Sequence, residues 1–276
     1  MKFVLIKQKF VPENQAQISI KDRGFRFGDG VFETIRVHQG QLLDFDLHLE
    51  RLQYGLEQLN IPYPVAGLEI LAKELVTKNK QQEGICRIII TRGEGSMGYL
   101  PSPDIVPNLI METANLPSNM ATKITAKISS YQKISTKSLP VAAKLMQGLN
   151  STLALLEARE AGHAKAILLN ELGQICETDS ANIFFIKGSK LFTPKLSCGL
   201  SKGVMRTKIM QHFTVQETEL TVAELKNYDL CFICNIALRT QLITAISGQN
   251  NQTLWQDSQS KVALETYQNV KKYLHI

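Results

Sequence analysis

Lys144 stands in an apolar stretch, with Val141-Ala142-Ala143 before it and Leu145-Met146 after it. A lysine in such surroundings gives up its proton more readily than one in water, which suits Schiff-base chemistry on a carbonyl. The competing reading is a lysine whose stem runs past the core to solvent. Asp22 to Thr34 reads DRGFRFGDGVFET, with three glycines in seven residues among acids and arginines. It implies a tightly shaped loop feeding a strand, either a binding loop or a structural turn. The stretch Ile175 to Phe184, ICETDSANIF, places Glu177 where a carboxylate can hold a protonated ring nitrogen, or where an acid simply closes a strand turn. Lys202 to Arg206, KGVMR, reads as a loop running into a helix. The free N–H groups of such a helix start make an anion site, and an ordinary helix start is the alternative.

The elements that position these residues follow from hydrophobic periodicity. Phe3 to Ile6 and Phe32 to Val37 read as strands, and His38-Gln39-Gly40 as a turn into a short return strand over 41–43. Leu47, Leu52, Leu56 and Leu59 recur at near-helical spacing and predict a helix from Asp46 to Asn60, with a second over 65–78. The β-branched run Ile85 to Thr91 is a sheet centre, and 106–112 is another strand. Asn115 to Asn119, polar and broken by Pro117, is the expected linker between a smaller domain over 1–117 and a larger, cofactor-binding one over 118–276. Further strands are expected over 123–129, 166–169, 182–186, 231–235 and 241–246. A helix is predicted from Leu145 to Ala161, with Lys144 at its start and Leu145, Leu149, Leu153 and Leu156 on one face. A last helix covers 258–274. Strands and helices neither alternate regularly nor segregate, which gives an α+β fold in two domains.

Two motifs are decoys. Gly93 to Gly98 matches G-x-G-x-x-G after a strand, but Pro101 and Pro103 follow too soon for the helix that would receive a pyrophosphate. Its glycines still allow the loop to line a pocket. Cys231-Phe232-Ile233-Cys234 is a C-x-x-C, but on a strand residues three apart point to opposite faces and cannot share a metal. The five cysteines are odd in number, and the apolar core of Met1 to Lys7 is too short for a secretory leader, so neither a disulfide framework nor a metal site is expected.

Composition excludes broad classes. Of 276 residues, 44% are hydrophobic and 20% charged, typical of a folded protein and too apolar for a disordered one. No apolar run approaches the ~20 residues of a membrane helix, so a cytoplasmic protein without a membrane partner is expected. The net charge of +6 is scattered rather than gathered into a stripe, which fits an anionic small molecule and not a nucleic acid.

Taken together and in order, these stretches resemble the fold-type-IV pyridoxal-phosphate enzymes, the class IV aminotransferase family. The likeness runs from the DRG-x-x-FGDGVFET signature through His48-Leu49-Glu50-Arg51-Leu52, Lys144, the E-x-x-x-x-N-I-F of Glu177 to Phe184, and Gly203-Val204-Met205-Arg206. Lys144 and Glu177 lie 33 residues apart, as the family has them. The resemblance implies a smaller N-terminal α/β sandwich, a larger C-terminal β-barrel-like domain with helices, and a homodimer with its site at the domain interface. It implies pyridoxal 5'-phosphate as cofactor, bound to Lys144, which also shuttles the proton. Glu177 then pairs with the pyridine nitrogen, the protein's main electronic lever on this cofactor. Arg51 grips the phosphate, and Ser180, Gly203, Val204, Met205, Asn235 and Ile236 complete the cofactor set.

Within the family, Thr34, the loop ending Gly98-Tyr99, and Ile233-Cys234-Asn235 resemble the aminodeoxychorismate lyases. Branched-chain aminotransferases carry glycine where Thr34 stands. D-amino-acid aminotransferases carry an arginine and a histidine after Thr91-Arg92-Gly93, where this chain has Met97-Gly98-Tyr99. The implied activity is lyase, converting 4-amino-4-deoxychorismate to 4-aminobenzoate and pyruvate in folate biosynthesis, with the two aminotransferases as alternatives. Thr34 joins Lys144 as catalytic, and Arg26, Arg92 and Tyr99 are the expected substrate contacts. The lyase pattern has arginine at Met97 and asparagine at Gln147, so one carboxylate contact lacks its usual donor; Arg36 and Lys202 are further sources of charge.

Overall fold

The computed structural model describes residues 1–116 and 121–274, so most of the expected linker, including the 117/118 boundary, lies outside the described residues. Contacts divide the chain into two compact units, residues 1–118 with 143–147, and residues 119–142 with 148–276. The short segment bearing Lys144 thus packs with the first unit, although it lies within the span expected for the second domain.

In the first unit the elements are β1 (Phe3–Ile6), β2 (Lys9–Pro12), α1 (Arg23–Phe27), β3 (Gly30–His38), β4 (Gln41–Leu42), α2 (Phe45–Gln58), α3 (Leu68–Lys78), β5 (Glu83–Thr91) and β6 (Asn108–Ala114). The strands form one sheet in the order β2-β1-β6-β5-β3-β4, and its pairings are antiparallel. Alternation sorts each strand by face. Val31, Ile35 and Val37 of β3 and Cys86, Ile88 and Ile90 of β5 are buried with Leu52 and Leu56 of α2 and Leu75 of α3. Phe32, Thr34 and Arg36, with Arg87 and Ile89 of β5, therefore occupy the opposite face, less buried.

The second unit contains β7 (Lys123–Ile128), α4 (Leu149–Glu160), β8 (Lys165–Leu169), β9 (Ile175–Thr178), β10 (Asn182–Lys187), β11 (Lys190–Pro194), α5 (Val204–His212), β12 (Val215–Thr218), β13 (Leu230–Asn235), β14 (Arg239–Ser247), β15 (Thr253–Gln256) and α6 (Lys261–Leu274). The sheet runs β12-β11-β10-β13-β14-β7-β8-β9, with β15 on β14, and curls into a half-barrel. Its central strands are buried on both faces, which explains their unbroken apolar sequences. Ile183, Phe185, Cys231 and Ile233 enter one core with Trp255, while Phe184, Phe232 and Cys234 enter another with Tyr267 of α6. Cys231 and Cys234 thus face opposite ways, and burial pushes the Cys234 thiol up to about 12.

One expected helix is wrong in its start and its face. It begins at Leu149, not Leu145, and its buried residues are Ala154 and Ala158, packed on Ala166 and Leu168 of β8. Leu149 and Leu156 are 71% and 55% exposed. Small residues face the sheet because they let the helix lie close, and residues 143–147 are claimed by another partner described below. Likewise, the DRG stretch is not all loop: Asp22 caps the short helix α1, accepting the Gly24 N–H at 2.8 Å.

Candidate active site

The first unit builds the lysine's seat. β4 pairs with β3 only near Val37 and His38, which leaves the start of β3 with an open edge. The Lys144 segment fills it: the Phe32 N–H donates to the Lys144 carbonyl at 3.0 Å, and the Met146 N–H to Gly30 at 3.1 Å. Gly30 is required there, since a Cβ would lie 2.7 Å from Met146 Sδ and 2.6 Å from the Ile90 carbonyl. These backbone bonds hold Lys144 extended, with Nζ 4.3 Å from the Phe32 ring centroid.

Arg87 approaches the same ring, its Cζ 5.1 Å from the centroid. Sequence reasoning missed it, because it interrupts a run of isoleucines by one residue. It pairs across the sheet with Thr34, so the two side chains share a face. Its Nε is buried without a hydrogen-bond partner, and Glu112 stands 3.7 Å from Nη1. Phe32, Arg87, Ile89 and Met146 line a pocket of about 200 Å³. A larger cavity, about 470 Å³ and lined by Lys7, Tyr63 and Glu94 among others, contains none of the expected site residues.

The expected substrate contacts are placed differently. Arg92 donates Nε to Asp29 at 2.8 Å, and Nη1 and Nη2 to the carbonyls of Asn60 and Leu59, so its guanidinium braces the loop. Arg23 does the same from the other side, binding Asp29 and the carbonyls of Gly98 and Tyr99. Arg26 reaches the Gly95 carbonyl at 3.3 Å. The Tyr99 side chain is 87% exposed and Met97 83%.

Glu33, also missed, lies on the core face of β3 and is buried. Arg51 grips it with Nε to Oε1 and Nη2 to Oε2, both 2.7 Å, while His48 Nδ1 meets Oε2 at 2.6 Å. Burial raises the Glu33 carboxyl, but the Arg51 charge and the hydrogen bonds from Arg51 and His48 outweigh it and hold the group at about 2. Arg51 is thereby locked in one orientation.

In the second unit, Glu177 is buried on β9. Its Oε1 receives Lys133 Nζ at 2.5 Å and the Ser201 N–H at 3.3 Å; its Oε2 receives Asn182 Nδ2 at 3.0 Å and Ser201 Oγ at 2.9 Å. Gly203 starts α5 without a side-chain cap, and a Cβ there would lie 1.9 Å from Asn182 Oδ1. Val204 and Met205 form the first turn. Asn235 closes the β13–β14 turn, accepting from Ala237 and Leu238 and donating to the Ser180 carbonyl, with Ile236 beside it. The Ser180 hydroxyl is held by Lys165 at 2.7 Å.

Taken unit by unit, the chemistry suits a phosphorylated pyridine aldehyde: the first unit offers an amine for an aldehyde and a locked arginine for a phosphate, and the second a buried carboxylate for a ring nitrogen and an uncapped helix start for an anion. His48 Nε2, buried without a partner, marks a further polar group near Arg51 on α2. Among the described residues no group of His, Cys, Asp and Glu could hold a metal ion.

The family model for class IV amino-transferases matches residues 30–246. The chain belongs to the class IV aminotransferase family. Its relatives include a putative branched-chain-amino-acid aminotransferase of Methanocaldococcus jannaschii, 30% identical over 89% of this chain and 88% of the relative. An aminodeoxychorismate lyase of Vibrio harveyi is 29% identical over 86% and 90%, and a D-alanine aminotransferase of Bacillus licheniformis 27% over 89% of each. Among solved structures, the Escherichia coli branched-chain aminotransferase superposes with a TM-score of 0.88 at 22% identity, covering 97% of this chain and 92% of the other. The Pseudomonas aeruginosa 4-amino-4-deoxychorismate lyase gives 0.82 at 23%, covering 98% of each. Class IV enzymes use pyridoxal phosphate, and the donor set above fits it. Identity is nearly equal across three activities, so the reaction must be read from the site.

Proposed function

We propose that this class IV enzyme is an aminodeoxychorismate lyase, releasing pyruvate and 4-aminobenzoate from 4-amino-4-deoxychorismate. The observation that carries the reading is the pairing of Thr34 with Arg87 on the face of β3 that also bears Phe32, the ring over which Lys144 lies. The substrate carries two carboxylates, and Arg87 has an unfilled buried donor to meet one of them. Thr34, absent from the branched-chain pattern, adds a hydroxyl beside it.

When bound, the cofactor supplies an electron sink for the carbon bearing the substrate's amine. Lys144 would hold the cofactor by its amine and, freed from it, would take the proton from the carbon bearing the substrate's amine. With that proton gone, the ring C–O bond of the enolpyruvyl ether would break, the ring becoming aromatic as 4-aminobenzoate and the released enolpyruvate taking a proton at its methylene carbon to become pyruvate. Thr34 positions Lys144 or donates a proton to the leaving oxygen. Arg51 and the α5 start hold the phosphate, with Ser180, Gly203, Asn235 and Ile236 shaping the pocket, and Glu177 holds the ring nitrogen. Arg87 takes the carboxylate role expected of Arg92, whose donors are spent on the loop. By family resemblance the enzyme is a cytoplasmic homodimer; no described helix is long and apolar enough to cross a membrane.

The test supplies the holoenzyme with enzymatically generated aminodeoxychorismate and follows pyruvate through lactate dehydrogenase, beside a tube of D-alanine and 2-oxoglutarate. Pyruvate and 4-aminobenzoate in the first tube alone are expected. Pyruvate only in the second overturns the lyase in favour of a D-amino-acid aminotransferase.

A further inference from the structure

We propose that Lys133 is a positioning residue that sets the charge felt by the cofactor's ring nitrogen, by sharing the carboxylate of Glu177 with it. The inference rests on the reading above that Glu177 holds that nitrogen. Three observations carry it. Lys133 Nζ lies 2.5 Å from Glu177 Oε1, with the two side chains only 14% and 6% exposed. The lysine's backbone is itself fixed, its N–H donating to the Leu169 carbonyl of β8 at 2.8 Å, where β8 pairs with β9. The contact is thus built into the sheet, unlike a solvent-exposed ion pair.

The third observation is occupancy. A carboxylate offers about four acceptor positions, and Glu177 receives Lys133, Asn182 and two donors of Ser201. The 3.3 Å Ser201 N–H is the longest of these and shares Oε1 with Lys133. A ring N–H arriving at Glu177 therefore displaces that amide or shares Oε1 with the ammonium. Asn182 and Ser201 are neutral donors, whereas Lys133 brings a positive charge to Glu177. Once the cofactor is bound, the same cation disfavours every protonated form of it.

The cofactor's visible absorption reports this directly, because the protonation state of the Lys144-bound cofactor changes its colour. The experiment titrates that absorption against pH in the wild-type holoenzyme, Lys133→Met, Lys133→Gln, Lys133→Arg, Glu177→Gln and the double variant Glu177→Gln/Lys133→Met. On the Lys144 side, the charged neighbour across Phe32 is Arg87, unchanged in every variant. Removing the lysine charge should raise the midpoint by about one pH unit. Lys133→Arg should stay near wild type. In the Glu177→Gln background, Lys133→Met should move the midpoint far less than in the wild type, since the effect passes through the carboxylate.

Lys133→Gln keeps the test alive if Lys133→Met does not fold. Cofactor lost from the neutral variants but kept by Lys133→Arg also supports the charge role; loss from all three overturns it in favour of a steric one. A midpoint unmoved in the neutral variants overturns the proposal while leaving the Lys144 reading intact. A wild-type protein that takes up cofactor without the absorption of a lysine adduct overturns that reading instead.

Discussion

Glu33 in the first unit and Glu177 in the second are both buried acids bonded to a cation, but they are held in different ways. Glu33 is gripped by the planar fork of Arg51, with His48 three residues earlier on the same helix, so the cluster is local and closed. Glu177 collects its donors from three separated segments at Lys133, Asn182 and Ser201, and its cation is a flexible amine. The first arrangement fixes geometry; the second leaves a carboxylate whose bonds can be redistributed when a cofactor arrives.

The sharpest way to break this contrast is to neutralise each acid. Glu33→Gln should destabilise the protein by roughly 3–5 kcal/mol, because it leaves Arg51 buried beside no counter-charge. Glu177→Gln should cost less, about 1–3 kcal/mol in thermal or urea unfolding, because the flexible, 14% exposed Lys133 amine can turn to solvent while the new amide still meets Ser201, but at least about tenfold in turnover. Equal losses of stability in the two variants would erase the distinction.

Acid sharpens the same contrast. The Glu33 carboxyl is depressed from an ordinary value near 4.5 to about 2. A depressed carboxylate contributes stability above its unfolded value and loses it as pH falls toward the folded one. About 3 kcal/mol should therefore disappear between roughly pH 4.5 and pH 2. In Glu33→Gln, denaturant midpoints across that window should lose this component of their slope.

The smallest expected effect separates scaffold from substrate contact within the first unit. Arg87→Met should raise KM for an anionic substrate about tenfold to a hundredfold, by removing one charge-assisted contact, while the melting temperature changes little. Arg92→Met should do the reverse, because its donors hold Asp29 and the Leu59 and Asn60 carbonyls.

Most elements were legible in the sequence, because each hydrophobic run packs at its own period. Lys144 shows where that logic ends. Leu145 and Leu149 fall at i and i+4, which imitates a helix, yet the segment is extended because it bonds to β3, more than a hundred residues earlier in the chain. Glu33 carried a readable signal: on a strand alternating Val31, Ile35 and Val37 inward, an acid at the same parity demands a buried partner, and His48 and Arg51 sit one turn apart to supply it. Lys133 and Ser201 carried none, since Lys133 follows β7 and meets Glu177 through the pairing of β7, β8 and β9, while Ser201 comes from the loop before α5. Arg87 was visible as a charge in an apolar strand, but its register with Thr34 belongs to the sheet.

The central claim is that Lys144, and not the half-buried Lys133, carries the cofactor. Borohydride reduction of the holoenzyme followed by peptide mapping tests it directly. A single phosphopyridoxyl adduct on the peptide containing Lys144, abolished in Lys144→Ala, is the predicted result. An adduct on Lys133, or full labelling elsewhere in Lys144→Ala, would contradict it.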